Sequence, residues 1–249
     1  MTSSSSPPTP PAAADVFGGR LSLAESYVAR LADTGIAHGL IGPREAPRLW
    51  DRHVLNSAVT HPAFVAGARV ADIGSGAGLP GIPLAIARPD LQLVLVEPLL
   101  RRTVWLTDTV ATLGLTNVEV HRGRAESLWG VDRFRHVTAR AVARTAELAR
   151  ICLPLLEAGG SLHALKGDTA VTELDEDADQ LRSLGATRWG VRRFGFGSVE
   201  PETVVVSVEV DAPIEASWAP EPSVRQVRRA RANRARGRAD ARPPSPGPA

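Results

Sequence analysis

The chemistry legible in this chain is concentrated in one stretch, ADIGSGAGLPGIPLAIARP, residues 71–89. Asp72 ends a short apolar run, Gly74, Gly76 and Gly78 follow, and a helix-like segment opens near Gly81. Glycines in such a loop permit a tight turn and let backbone N–H groups approach a ligand closely. In open α/β sheets ligands lie at the carboxyl ends of the strands. Two ligand classes compete for the loop. The run from Gly76 to Gly81 matches the G-x-G-x-x-G dinucleotide fingerprint. Against that reading, an unpaired carboxylate at Asp72 would repel a pyrophosphate. S-adenosylmethionine has no phosphate, and its ammonium and sulfonium are both cationic. Glu97 ends the next apolar run, where an acid can accept from both ribose hydroxyls. Ala125 and Glu126 follow the third, where an adenine would lie. The competing account is a glycine turn that packs a helix on a sheet and holds nothing.

The methyl acceptor can be read by class. Exocyclic amine methylation typically uses an Asn/Asp-Pro-Pro-aromatic loop after the fourth strand, and here that place reads Thr138-Ala139-Arg140-Ala141. Carbon-5 methylation of a pyrimidine needs a cysteine nucleophile, and the one cysteine, Cys152, stands inside an apolar helical run. Ribose methylation commonly uses two lysines, and Lys166 is the only lysine in the chain. A ring nitrogen such as guanine N7 has a free lone pair and no proton, so its methylation is a displacement that needs alignment rather than a base. Arg140 and Lys166 are expected at the ends of the fourth and fifth strands, facing the pocket, as the candidate catalytic residues. Either could bind guanine O6 or a flanking phosphate. A surface ion pair is the competing account of Arg140, and accident that of Lys166. Arg52 and His53 are candidate RNA contacts or structural members of an N-terminal helix. Trp50 and Trp105 read as core.

Positioning these residues requires a sheet. Strands are expected at 69–73, 91–97, 117–122, 134–140, 161–166 and 203–210, with a weaker one around 187–194. Helices alternate with them at 81–88, 99–113, 143–157 and 170–184, and two more precede them at 22–34 and 43–60. Strand–helix alternation of this regularity gives a doubly wound, mostly parallel sheet. Consecutive β elements at its end predict an antiparallel edge hairpin. The fold class is therefore α/β and Rossmann-like, with an N-terminal helical extension, the arrangement of class I S-adenosylmethionine-dependent methyltransferases.

Charge is distributed unevenly. The chain has 29 basic and 27 acidic residues; setting aside eight arginines and two acids beyond residue 219 leaves 21 against 25. The body is mildly acidic and the end strongly basic, which reads either as a nucleic-acid-seeking arm or as a solvated end. Residues 1–17 are expected to be a disordered leader, 18–217 the methyltransferase domain, and 218–249 a disordered basic tail. The start has no basic-then-apolar signal pattern, and no apolar run is long enough to span a membrane. These features, with a single cysteine, predict a cytoplasmic protein without a metal site.

The run DIGSGAGLPGIPLAIARP, Glu97 with Arg101-Arg102, GRAES (123–127), ARAVA (139–143), ALKG (164–167) and LWDRHVLNS (49–57) together resemble the family of ribosomal RNA small subunit methyltransferase G, also called glucose-inhibited division protein B, in its actinobacterial form. The resemblance covers about residues 20–210. It implies S-adenosylmethionine-dependent N7 methylation of a guanosine in the decoding-centre loop of 16S rRNA, with the free RNA or the 30S subunit as partner; a monomer is the expected state. It also implies cofactor contacts from Gly74, Leu79, Ala125, Glu126 and Arg140. The leader and the arginine-rich tail depart from the general family pattern.

Overall fold

The computed structural model describes residues 6–140 and 143–216. Helices α1 (Pro11–Phe17) and α2 (Leu21–Arg30) open the chain, and α2 runs on into a π-helical turn, Leu31–Gly35. A 3-10 turn at Pro43–Arg48 leads into a π-helical segment, Leu49–Leu55, and the short α3, Asn56–Ala58. The remainder alternates as expected: β1 (Arg69–Ile73), α4 (Gly81–Ala87), β2 (Gln92–Glu97), α5 (Leu100–Thr112), β3 (Val118–Arg122), β4 (Phe134–Arg140), α6 (Thr145–Cys152), β5 (Leu156–Lys166), α7 (Ala170–Ser183), β6 (Arg188–Phe194) and β7 (Thr203–Glu209).

The seven strands form one sheet in the order β3-β2-β1-β4-β5-β7-β6. The first five are parallel, and β7 runs antiparallel to both β5 and β6. This is the expected doubly wound, mostly parallel α/β sheet, with the antiparallel hairpin at its edge. Helices cover both faces, so β2 (QLVLVE) reads as a nearly unbroken apolar run, while β4 (FRHVTAR) and β5 bury polar residues such as His136, Thr138 and His163 among the apolar ones. Ala71, Ile73, Val96, Val137, Ala139, Leu162 and Ala164 pack with Leu148, Cys152 and Leu174 of α6 and α7 on one face. On the other, Leu95 packs with Ile82, Trp105 and Leu106 of α4 and α5 and with Tyr27, Leu31, Trp50 and Leu55 of the N-terminal extension. Trp50 and Trp105 are core residues, as their spacing predicts.

Two expectations need correction. Residues 11–17 are not disordered: Pro11 starts a helix with fixed φ where no N–H is required, three alanines follow, and Ala13 and Phe17 are buried. The Phe17 ring lies 6.4 Å from that of Trp50. The helix expected to reach 157 stops at Cys152, and a 3-10 turn over Leu153–Leu155 leads directly into β5. Pro154 cannot continue the helix, and Gly159-Gly160, read as a stop, lie inside the strand. The basic tail expected at 218–249 lies outside the described residues.

Candidate active site

The loop after β1 is built by its glycines. Gly74, Gly76 and Gly78 take φ of 71°, 57° and 89°, which side chains disfavour. The amides of Gly74 and Ser75 donate to Val96 O at 2.9 and 3.2 Å, fastening the loop to the end of β2. Gly81 has a packing role: a Cβ there would lie 2.3 Å from Leu95 Cδ2 and 2.8 Å from Asp72 Oδ2. The extended glycine motif thus lets α4 sit directly on the sheet.

Asp72 is fully buried, and its Oδ2 accepts the Gly81 amide at 3.0 Å. Burial pushes its carboxyl up to about 7, with Glu97 adding to the rise. Its Oδ1 is buried and has no hydrogen-bond partner among the described residues. A buried, half-satisfied carboxylate is a place where a cation is favoured. Glu97, 2% exposed, accepts from Gly76 N at 3.1 Å and Leu99 N at 3.0 Å, and Arg102 stands 3.7 Å away. The expected ribose-binding acid is therefore also the clamp that joins the glycine loop to the start of α5. Each oxygen retains a lone pair for a second donor. Gly123 N donates to Glu97 O at 3.2 Å, bringing the turn of Ala125 and Glu126 to the same edge. Ala125 is buried there and Glu126 is half-buried. Leu79 is buried beside the loop.

Arg140 ends β4 and turns into the N-terminal extension. Its guanidinium donates to Arg52 O at 2.5 Å, to His53 O at 3.4 Å and to Ser57 Oγ at 3.3 Å. His53 Nδ1 lies 3.2 Å from the same group, while His53 Nε2 faces Glu45 Oε2 at 3.0 Å. Burial, then the Arg140 charge, holds the His53 imidazole below its ordinary pKa. A neutral ring therefore donates to Glu45 and accepts from Arg140. Tyr27, the one tyrosine, reaches from α2 to donate to Ala77 O in the glycine loop at 2.7 Å. Burial raises its phenol well above the ordinary value. Sequence reasoning singled out neither Tyr27 nor Glu45; for Tyr27, its uniqueness was the available signal.

Lys166 ends β5 at the same sheet edge, but on the opposite face. Arg140 is in register with Leu165, so the next residue points the other way. Its ammonium donates to Ala143 O at 2.5 Å and to Glu173 Oε1 at 2.7 Å, and Glu173 Oε1 also accepts from the Thr145 hydroxyl and amide. The structure therefore brings Asp72, Glu97 and the glycines together, and sends Arg140 and Lys166 to different partners. Cys152 is fully buried, and burial raises its thiol far above the ordinary value, in keeping with a core role.

Comparison with known proteins gives a consistent result. Residues 20–197 match the family model described as GidB: rRNA small subunit methyltransferase G. Three curated relatives carry the name ribosomal RNA small subunit methyltransferase G. That of Thermobifida fusca is 50% identical over 91% of this chain and 95% of its own length. That of Streptomyces avermitilis is 52% identical over 82% and 86%. That of Pseudarthrobacter chlorophenolicus is 50% identical over 83% and 95%.

Proposed function

The chain belongs to the rRNA small subunit methyltransferase G family and uses S-adenosylmethionine, and on that premise we propose that it methylates N7 of a guanosine in the decoding-centre loop of 16S rRNA. The observation that carries the reading is the pair of buried carboxylates around the glycine loop, with Asp72 Oδ1 left unpartnered among the described residues. That donor set suits a cationic, phosphate-free cofactor. Bound S-adenosylmethionine supplies an electrophilic methyl on a sulfonium.

The chain's own residues then bind and orient. Asp72 offers negative charge beneath the loop, and the backbone of Gly74, Gly76, Gly78 and Leu79 lines it. Glu97 takes the ribose hydroxyls on its remaining lone pairs. Ala125 and Glu126 flank the adenine. Arg140, held by the Arg52 and His53 carbonyls, sets the position of the N-terminal extension over the carboxyl edge and contributes positive charge for the cofactor carboxylate or the RNA. Lys166 holds the segment after β4 through Ala143, which is where the acceptor base would enter. A lone-pair acceptor supports this arrangement, since its displacement relies on alignment and needs no proton removed.

The test is methylation of 16S rRNA and of assembled 30S subunits by the purified protein with S-adenosylmethionine, followed by mass mapping of modified nucleosides. One 7-methylguanosine in the decoding-centre loop is expected. Methyl transfer to another base atom, or to a ribose, would overturn the acceptor assignment.

A further inference from the structure

We infer that Phe196, at the tip of the loop between β6 and β7, is a stacking platform for an RNA base next to the methylated nucleotide; the inference rests on the RNA substrate proposed above. Phe196 is 91% exposed, against 59% for Val104, the next most exposed large apolar side chain among the described residues. Its neighbours Gly195 and Gly197 take φ of 90° and 73°. The loop is nonetheless built. Ser198 N and Val199 N donate to Gly195 O at 2.8 and 2.9 Å. Val199 is buried, and a Cβ on Gly195 would lie 2.4 Å from Val199 Cγ2 and 3.0 Å from Val59 Cγ2. The turn is thus fixed at its base and presents a rigid ring with few internal rotations, the property that makes an aromatic an inexpensive contact to order.

Its place in the fold favours a nucleic acid. Phe194 is in register with Thr203, and Val204 with Lys166, so the tip stands at the carboxyl edge where the parallel strands end. Asn56 Nδ2 donates to Thr203 Oγ1 at 2.8 Å, and that hydroxyl donates back to Asn56 O at 2.9 Å. The adjacent residue, Ser57, accepts from Arg140. Consecutive residues of the extension therefore tie the Phe196 loop to the end of β4. Arg192 and Arg193 on the strand feeding the loop are exposed, as is Arg52; Glu200 is exposed on the returning limb. Phe196 is flanked by side-chain-free glycines, and the strand that feeds its loop carries arginines, with the Arg192 guanidinium 5.1 Å from the centre of the Phe194 ring. An exposed ring at the tip of a loop whose feeding strand carries exposed arginines matches the recognition of splayed-out bases and their phosphates.

The experiment compares Phe196→Ala, Phe196→Leu and Phe196→Tyr in methylation kinetics on 16S rRNA and 30S subunits, with cofactor binding and melting measured alongside. Loss of one stacked base should raise KM for RNA about tenfold or more in the Ala and Leu variants. Tyr should remain within about twofold of wild type, with cofactor affinity and melting temperature unchanged. A KM unaltered by Phe196→Ala overturns the inference. Full rescue by Leu also overturns it, because an apolar seat on a protein accepts leucine and a base stack does not. Wild-type enzyme that leaves rRNA unmethylated would instead overturn the proposed function itself.

Discussion

Asp72 must carry charge in a place that resists it. Its carboxyl titrates near 7 because it is buried, and one oxygen is unpartnered among the described residues. A cationic cofactor binds the ionised form better, so S-adenosylmethionine affinity is expected to rise with pH through about 7 and to level off above it. Asp72→Asn should weaken binding and flatten that rise, which calorimetric titration across the range would read; an unchanged pH profile would remove Asp72 from cofactor binding. Lys166 invites a different expectation. It is the chain's only lysine, and its ammonium joins Ala143 O to Glu173, whose carboxyl is held below the ordinary value by its Lys166 and Thr145 hydrogen bonds despite burial. Lys166→Ala should cost about 1–3 kcal/mol of stability by leaving a half-buried carboxylate short of a partner. RNA methylation should fall with cofactor affinity nearly intact. Methylation at the wild-type rate would show that the lysine serves packing alone. The sequence made the types and strand-end positions of Arg140 and Lys166 legible. It could not show that register turns them to opposite faces, because one residue of offset in a strand decides the face.

At the scale of elements, the parallel sheet was legible because short β-type runs such as LQLVLVE alternate with helical segments that end near glycines or prolines. The edge hairpin followed from TVVVSVEV coming after another β run. Misread elements share a cause: local composition was overruled by a distant partner. Gly159-Gly160 sit in β5, where a Cβ on Gly160 would meet Arg135 O at 3.1 Å, so the residue is needed for a close strand approach rather than a stop. The leader reads as low-complexity, yet Phe17 finds Trp50 and Thr9 Oγ1 donates to Glu25 at 2.8 Å. Removing residues 1–17 uncovers Trp50 and discards a buried phenylalanine worth about 1.5–3 kcal/mol. Melting should fall by on the order of 5–10 °C, measurable by scanning calorimetry. An unstructured leader would leave it unchanged.

The molecule as a whole carries a pH balance set far from the cofactor loop. Under the sheet, Val65 N donates to His136 Nε2 at 3.1 Å, and His136 Nδ1 lies 3.2 Å from His163 Nε2. His163 Nδ1 in turn faces Ser207 Oγ at 3.1 Å. The accepted amide fixes the His136 proton on Nδ1, so each ring donates to the next and both are neutral. The Phe64 ring closes the pair, at 5.4 and 5.0 Å from the two imidazoles. Burial lowers His136 to about 4 and His163 to about 3, from an ordinary 6.5. Between about pH 4 and 6.5 the unfolded chain therefore binds two protons that the folded chain does not. Asp72 acts oppositely: raised from 3.8 to about 7, it holds a proton when folded that the unfolded chain has released. The difference is one proton in favour of the unfolded state, and the lowered His53 and His61 add to it. Stability should therefore rise with pH across this window by about 1.4 kcal/mol per unit or more. It should be lost progressively on acidification below about 6.5. His163→Gln keeps an acceptor for His136 and a donor for Ser207 but cannot titrate, so the slope should fall by about 1.4 kcal/mol per unit. Urea midpoints at a series of pH values would read both slopes, and equal slopes in the two proteins would show that the histidine pair does not govern the acid response.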